Sequence, residues 1–254
     1  AYAAVEADGH GMLDELPDVL IPRLAGPALD ALRAAVTTKL DALPPDDPKS
    51  FRFDPQRYLH VSALAAIADA QGDVDGFIAL QRQKSPRLRD EAGVAQRLLA
   101  AGRAQEALAH LDDLDRDEVA WSMDLANARI EVLDALGRPD EAQADRWEAF
   151  LTRLAPEPLR AYLKRLPDFD ADEKLEEALA IVVGQDLRSA LRFLLEWPAL
   201  REAGALIRAR RTELDGDDYH IYTPAAAALA DRDPLAATLL RRARIDFTLT
   251  DARA

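Results

Sequence analysis

Apolar residues recur at three- and four-residue spacing along most of the chain, the period that lays them on one stripe of an α-helix. Between Pro27 and Leu43, for example, Leu29, Leu32, Val36 and Leu40 share one face. Pro27 suits a first helical turn there, and Pro44-Pro45 forbids continuation. The same reasoning predicts helices from about Pro55 to Gln71, Val74 to Gln83, Pro86 to Ala101, Ala104 to Leu114, Glu118 to Leu136 and Asp140 to Leu154. Beyond them it predicts Pro156 to Leu166, Glu173 to Val183, Leu187 to Leu195, Ala199 to Thr212, Pro224 to Asp231 and Pro234 to Leu249. No strand-like alternation interrupts the series. The stretch Pro44 to Pro55 is predicted as an ordered loop, with Phe51 and Phe53 tucked under neighbouring helices. Connections this short force consecutive helices into antiparallel hairpins, because the chain has no length to cross over.

Internal similarity turns the list of helices into an expected architecture. Leu98-Leu99-Ala100-Ala101-Gly102-Arg103-Ala104-Gln105-Glu106-Ala107 aligns with Leu133-Asp134-Ala135-Leu136-Gly137-Arg138-Pro139-Asp140-Glu141-Ala142, and the two glycines stand 35 residues apart. That is close to the roughly 34-residue period of tetratricopeptide repeats. Glycine just past a helix supplies the left-handed conformation that ends it. The alanine five residues later is small enough for the second helix to approach the first. A weaker third copy ends at Gly72, with Ala65 and Ala68 on the preceding helix face and Phe77 where the small alanine should stand. The clearest repeat units span residues 86–154.

The Gly-Arg-x-x-Glu-Ala turns resemble tetratricopeptide helical hairpins, an architecture that stacks into a superhelix and binds peptides or partner proteins on its concave side. The segment Asp218-Tyr219-His220-Ile221-Tyr222-Thr223-Pro224-Ala225-Ala226, followed by Asp233-Pro234-Leu235-Ala236-Ala237-Thr238-Leu239-Leu240, resembles a more particular group. It is similar to a proteobacterial family of helical proteins of unknown function, domain of unknown function 6880, over most of the chain. The resemblance implies a helical solenoid, carries over no activity, and belongs to a family whose members are longer at both ends. The expected fold is therefore all-α, with antiparallel helical hairpins stacked as a tetratricopeptide-like α-solenoid in a single domain over residues 1–254. The chain opens on Ala1-Tyr2-Ala3 and closes at Ala254 after a helix bearing Leu235, Leu239, Leu240, Phe247 and Leu249, where a solenoid normally ends in a polar cap. A piece of a longer protein is expected, with a C-terminal surface that pairs with further helices or with another copy.

Composition narrows the partners. With 49% hydrophobic and 31% charged residues, the chain has the apolar content that offsets chain entropy, so it is ordered. It contains no cysteine, which removes disulfides, thiolate nucleophiles and cysteine zinc sites and fits a reducing compartment. No apolar run reaches membrane-spanning length, and residues 1–9 lack a basic segment followed by an apolar one, so the cytoplasm is expected. A net charge of -14 repels phosphate backbones and anionic lipid, so neither nucleic acid nor membrane is an expected partner. The basic clusters at Arg82, Lys84, Arg87 and Arg89, at Arg208, Arg210 and Arg211, and at Arg241, Arg242 and Arg244 read as solvated, ion-paired faces.

Little in the sequence carries chemistry. His10, His60, His110 and His220 lack the spacing of a helical zinc site, so no metal or cofactor is expected. Asp215, Asp217 and Asp218 have Ala226 where a calcium loop needs its bidentate glutamate, and Asp112, Asp113, Asp115 and Asp117 read as helix caps. Trp121, Trp147 and Trp197 sit near Met123, Phe150 and Leu194 on amphipathic helices and read as core. The best candidate site is Tyr219, His220 and Tyr222, ahead of a helix starting at Pro224. A packed aromatic corner with Thr223 as helix N-cap explains the same residues. Three functions follow as expectations: a protein- or peptide-binding scaffold, a small-molecule or enzymatic module centred on Tyr219, His220 and Tyr222, and a structural module within a longer protein.

Overall fold

A computed structural model of the chain describes residues 2, 19–24, 26–44 and 53–251. It is all-α, with no strand among the described residues. The helices are α1 (Gly26–Asp41), α2 (Pro55–Ala70), α3 (Val74–Gln81), α4 (Glu91–Ala100), α5 (Ala104–Asp112), α6 (Arg116–Trp121) and α7 (Met123–Ala135). They continue with α8 (Pro139–Arg153), α9 (Pro156–Leu163), α10 (Asp168–Val183), α11 (Leu187–Glu196), α12 (Leu200–Ala209), α13 (Tyr219–Leu229) and α14 (Pro234–Asp251). Phe51, His10 and most of the expected loop between Pro44 and Pro55 lie outside the described residues. Phe53 is exposed rather than tucked under a helix, and its ring lies against Tyr58 at 5.6 Å.

Several boundaries differ from the periodic reading, and at two of them a side chain competes with helix continuation. The helix expected from Pro86 is a short 3-10 turn, Pro86–Leu88, followed by α4, because the Asp90 carboxylate accepts the Gly93 N–H at 2.8 Å and restarts the helix. The expected Glu118–Leu136 helix breaks at Ser122, whose Oγ accepts the Leu125 N–H at 3.3 Å. Pro224 lies inside α13 rather than at its start, so Thr223 is not its N-cap. Thr223 instead donates its hydroxyl to the Tyr219 carbonyl at 2.6 Å.

The backbone groups into two compact units, one of Ala1–Arg116 with Asn127–Gly137, the other of Asp117–Ala126 with Arg138–Ala254. In the first unit, hairpins close on left-handed glycines. Gly72 has φ +70° and Gly102 φ +75°. At both, two backbone bonds clasp the helix end: Gly72 N–H to Asp69 O with Asp73 N–H to Ala68 O, and Gly102 N–H to Leu99 O with Arg103 N–H to Leu98 O. The hairpins are then tied in register. Arg97 on α4 donates to Asp69 on α2, and Arg103 at the start of α5 donates to Asp75 on α3, both across 28 residues. Ile21, Leu29 and Ile67 are buried together, as are Val36, Ala63 and Leu64.

The second unit buries a larger core drawn from α8 to α14, including Phe150, Leu159, Val182, Leu191, Phe193, Ile207, Tyr222 and Leu240. A row of rings runs through it: Tyr162 to Trp147 at 5.1 Å, Trp147 to Phe150 at 5.2 Å, Phe150 to Phe193 at 5.7 Å and Phe193 stacked on Trp197 at 5.8 Å. Cations cover two of its rings, Lys174 above Trp147 and Arg160 above Trp197. Trp147 and Trp197 are thus half-buried, as amphipathic residues at a core edge should be. Trp121 is 66% exposed, so the reading of it as core is corrected. Trp121 stands two residues after buried Val119 on α6, about 200° round the helix, so the indole faces away from the buried side.

Candidate interaction site

The segment singled out by sequence is built around the start of α13. Asp215 begins a turn whose carboxylate accepts the Asp217 N–H at 3.1 Å. Asp218 precedes the helix, and its buried carboxylate is ion-paired with Arg188 on α11. The hydrogen bond to Asp218, reinforced by its charge, raises the Arg188 pKa. The Tyr222 phenol oxygen accepts the Asp215 backbone N–H at 3.1 Å, and the ring is fully buried. Burial pushes the Tyr222 phenol pKa upward, because a phenolate would be poorly solvated there.

Helical geometry then sorts the three candidates. At about 100° per residue, His220 and Tyr222 point to nearly opposite faces of α13. Tyr219 is 61% exposed and His220 is exposed beside it, their rings edge-to-face at 5.8 Å. Tyr222 instead enters the core with Ile221, Ala225 and Ala226. The structure brings Tyr219 and His220 together on the surface and places Tyr222 inside as a structural hydrogen-bond acceptor. An external aromatic pair can stack against a guest; it does not close around one.

A family model for a family of unknown function, DUF6880, matches residues 1–254, the α13 segment included. The chain belongs to that family. No curated protein and no solved structure matches it. Among the described residues of this DUF6880 member, the other two histidines have structural partners: His60 Nδ1 lies 2.6 Å from the Tyr2 hydroxyl, and His110 Nε2 lies 3.1 Å from Glu91. Asp112, one of the acids read as helix caps, is paired with Arg129. No group of three potential ligands is placed to hold a metal ion, and no helix is long and apolar enough to cross a membrane, both among the described residues.

A second surface of the DUF6880 chain escaped the sequence reading. The Arg153 guanidinium, at the end of α8, donates to the Ala120 carbonyl at the end of α6 at 2.8 Å. Burial lowers the Arg153 pKa, and among the described residues its Nε and Nη2 find no partner. This bond sets the last turn of α8 beside the end of α6, and exposed Trp121, Met123 and Leu151 flank it in sequence. The only sequence signal was Ser122, a residue that competes for backbone bonds and ends the helix bearing the indole.

Proposed function

We propose that this chain is a tetratricopeptide-like helical-repeat scaffold that binds a protein or peptide partner in the cytoplasm. The observation that carries the reading is Trp121, an indole left two-thirds exposed at the end of α6; Met123, two residues on, and Leu151, two residues before Arg153, are exposed as well. Large apolar side chains in water are unfavourable unless something covers them, and tryptophan is over-represented among the residues that dominate binding energy. The repeat part of the reading is supported by the left-handed glycine closures at Gly72 and Gly102 and by the 28-residue register that ties α4 to α2 and α5 to α3. A repeated offset is what stacking one hairpin on the next requires. The absence of cysteine from the sequence supports a reducing compartment.

Affinity capture from lysate with the whole chain, set beside Trp121→Ala/Met123→Ala/Leu151→Ala, tests this. The substitutions remove exposed groups only, so the thermal midpoint should stay unchanged while specific partners are lost. Equal recovery of the same partners by both proteins would remove the support for the reading.

A further inference from the structure

Helix α14 is apolar on two opposite sides. Ala236, Ala237 and Leu240 are fully buried in the core of the second unit, and Ala243 packs partly against it. On the far side, about 180° away at 100° per residue, lie Leu235, Thr238, Arg242, Ile245 and Leu249. These positions follow alternating spacings of three and four, the seven-residue repeat by which one helix packs along another. All five are exposed: Leu235 is 59%, Ile245 58% and Leu249 54% accessible. From residue 245 to 250 no side chain is buried, although the Phe247 Cβ still backs onto Gly216. A helix apolar on both faces is a helix with two neighbours, and the described chain supplies one.

We infer that the second neighbour is α14 of another copy of this chain, packed antiparallel about a two-fold axis near Arg244 and Ile245. The charges on the exposed face select this occupant. Arg242 lies one turn before Asp246, and the two pair within the helix at 3.4 Å, both well exposed. A face with a cation toward its N-terminal end and an anion toward its C-terminal end is complementary to itself when reversed. Arg242 of each copy then meets Asp246 of the other, as an isologous contact requires. A parallel arrangement would set Arg242 against Arg242 and Asp246 against Asp246. Antiparallel packing also opposes the two helix dipoles favourably. It brings the two Ile245 side chains together at the axis and carries each Leu249 toward Thr238 and Leu239 of the other copy. A single helix pair is a small interface, so the association is weak and concentration-dependent. This inference is independent of the scaffold reading, because Trp121, Met123 and Leu151 take no part in it.

Sedimentation velocity of the whole chain over a concentration series reads the result directly. The wild type is expected to shift from monomer to dimer as concentration rises, and Ile245→Glu/Leu249→Glu to remain monomeric with an unchanged circular dichroism spectrum. Arg242→Asp and Asp246→Arg should each weaken dimerisation by about tenfold, a change of ~1.4 kcal/mol, and the double exchange Arg242→Asp/Asp246→Arg should restore it. A wild type that stays monomeric throughout overturns the inference, as does a dimer unaffected by Ile245→Glu/Leu249→Glu. A dimer weakened by both single exchanges but not rescued by the double one would overturn the antiparallel arrangement.

Discussion

Arg97 holds Asp69 with two nitrogens, Nε to Oδ1 at 2.6 Å and Nη2 to Oδ2 at 2.8 Å, joining α4 to α2. The same guanidinium lies over the Phe77 ring at 4.1 Å, so its charge, its planar fork and its apolar faces are all engaged. Arg103 and Asp75 repeat the 28-residue offset with one bond of 2.8 Å, and Asp75 is far more open to water.

This difference predicts unequal couplings. In double-mutant cycles read by urea unfolding, Arg97 with Asp69 should couple by about 0.5–1 kcal/mol, the upper part of the range for half-exposed pairs. Arg103 with Asp75 should couple near zero, because solvent screens Asp75 and Arg103 keeps its two bonds to Glu106, each 2.8 Å. Equal couplings at the two pairs would contradict the geometric argument.

Two glycines should respond to alanine for different reasons. Gly102 is left-handed with open space around it, so Gly102→Ala costs only the backbone penalty of about 1–2 kcal/mol. At Gly216 an added Cβ would run into the Ala243 carbonyl and the Phe247 Cβ, both on α14. Gly216→Ala therefore has to displace α14 and should lower the thermal midpoint more than Gly102→Ala does. A smaller effect at Gly216 would show that α14 yields freely.

Acid sensitivity can be traced to a helix cap. Asp186 accepts the Ser189 N–H at 3.0 Å at the start of α11. That backbone bond, then the Ser189 hydroxyl, holds its carboxyl pKa below the ordinary value. A lowered folded-state pKa gives stability that is present above the unfolded value, near 3.9, and lost as pH falls through the folded one. Asp186→Asn caps without titrating, so its stability should fall less steeply than wild type below about pH 4. Identical acid limbs in thermal unfolding of the two proteins would rule this out. Asp186→Ala should cost about 1 kcal/mol at neutral pH.

Much of the fold was legible in local pattern. Leu29 and Val36 are buried on α1 as their spacing requires, and the Gly-Arg-x-x-Glu turns contain left-handed glycines at 102 and 137 with arginines bonded three residues ahead to Glu106 and Glu141. These features are decided within a turn or two of chain, where periodicity, glycine conformation and capping act. The candidate site was less legible. Pro224 was read as a helix start, whereas the helix begins five residues earlier, behind an Asp218 carboxylate held by Arg188, thirty positions away in the chain.

The sequence by itself determined the all-helical class, most helix positions and the hairpin turns, because side-chain period and backbone conformation are local properties. Only the tertiary structure decided that Tyr222 points inward while Tyr219 and His220 stay outside, that Trp121 is left in water, and that α14 keeps an uncovered stripe opposite its buried one. Burial is a property of neighbours brought from elsewhere in the chain. A helix can show two apolar faces in its sequence without stating which of them another helix will cover.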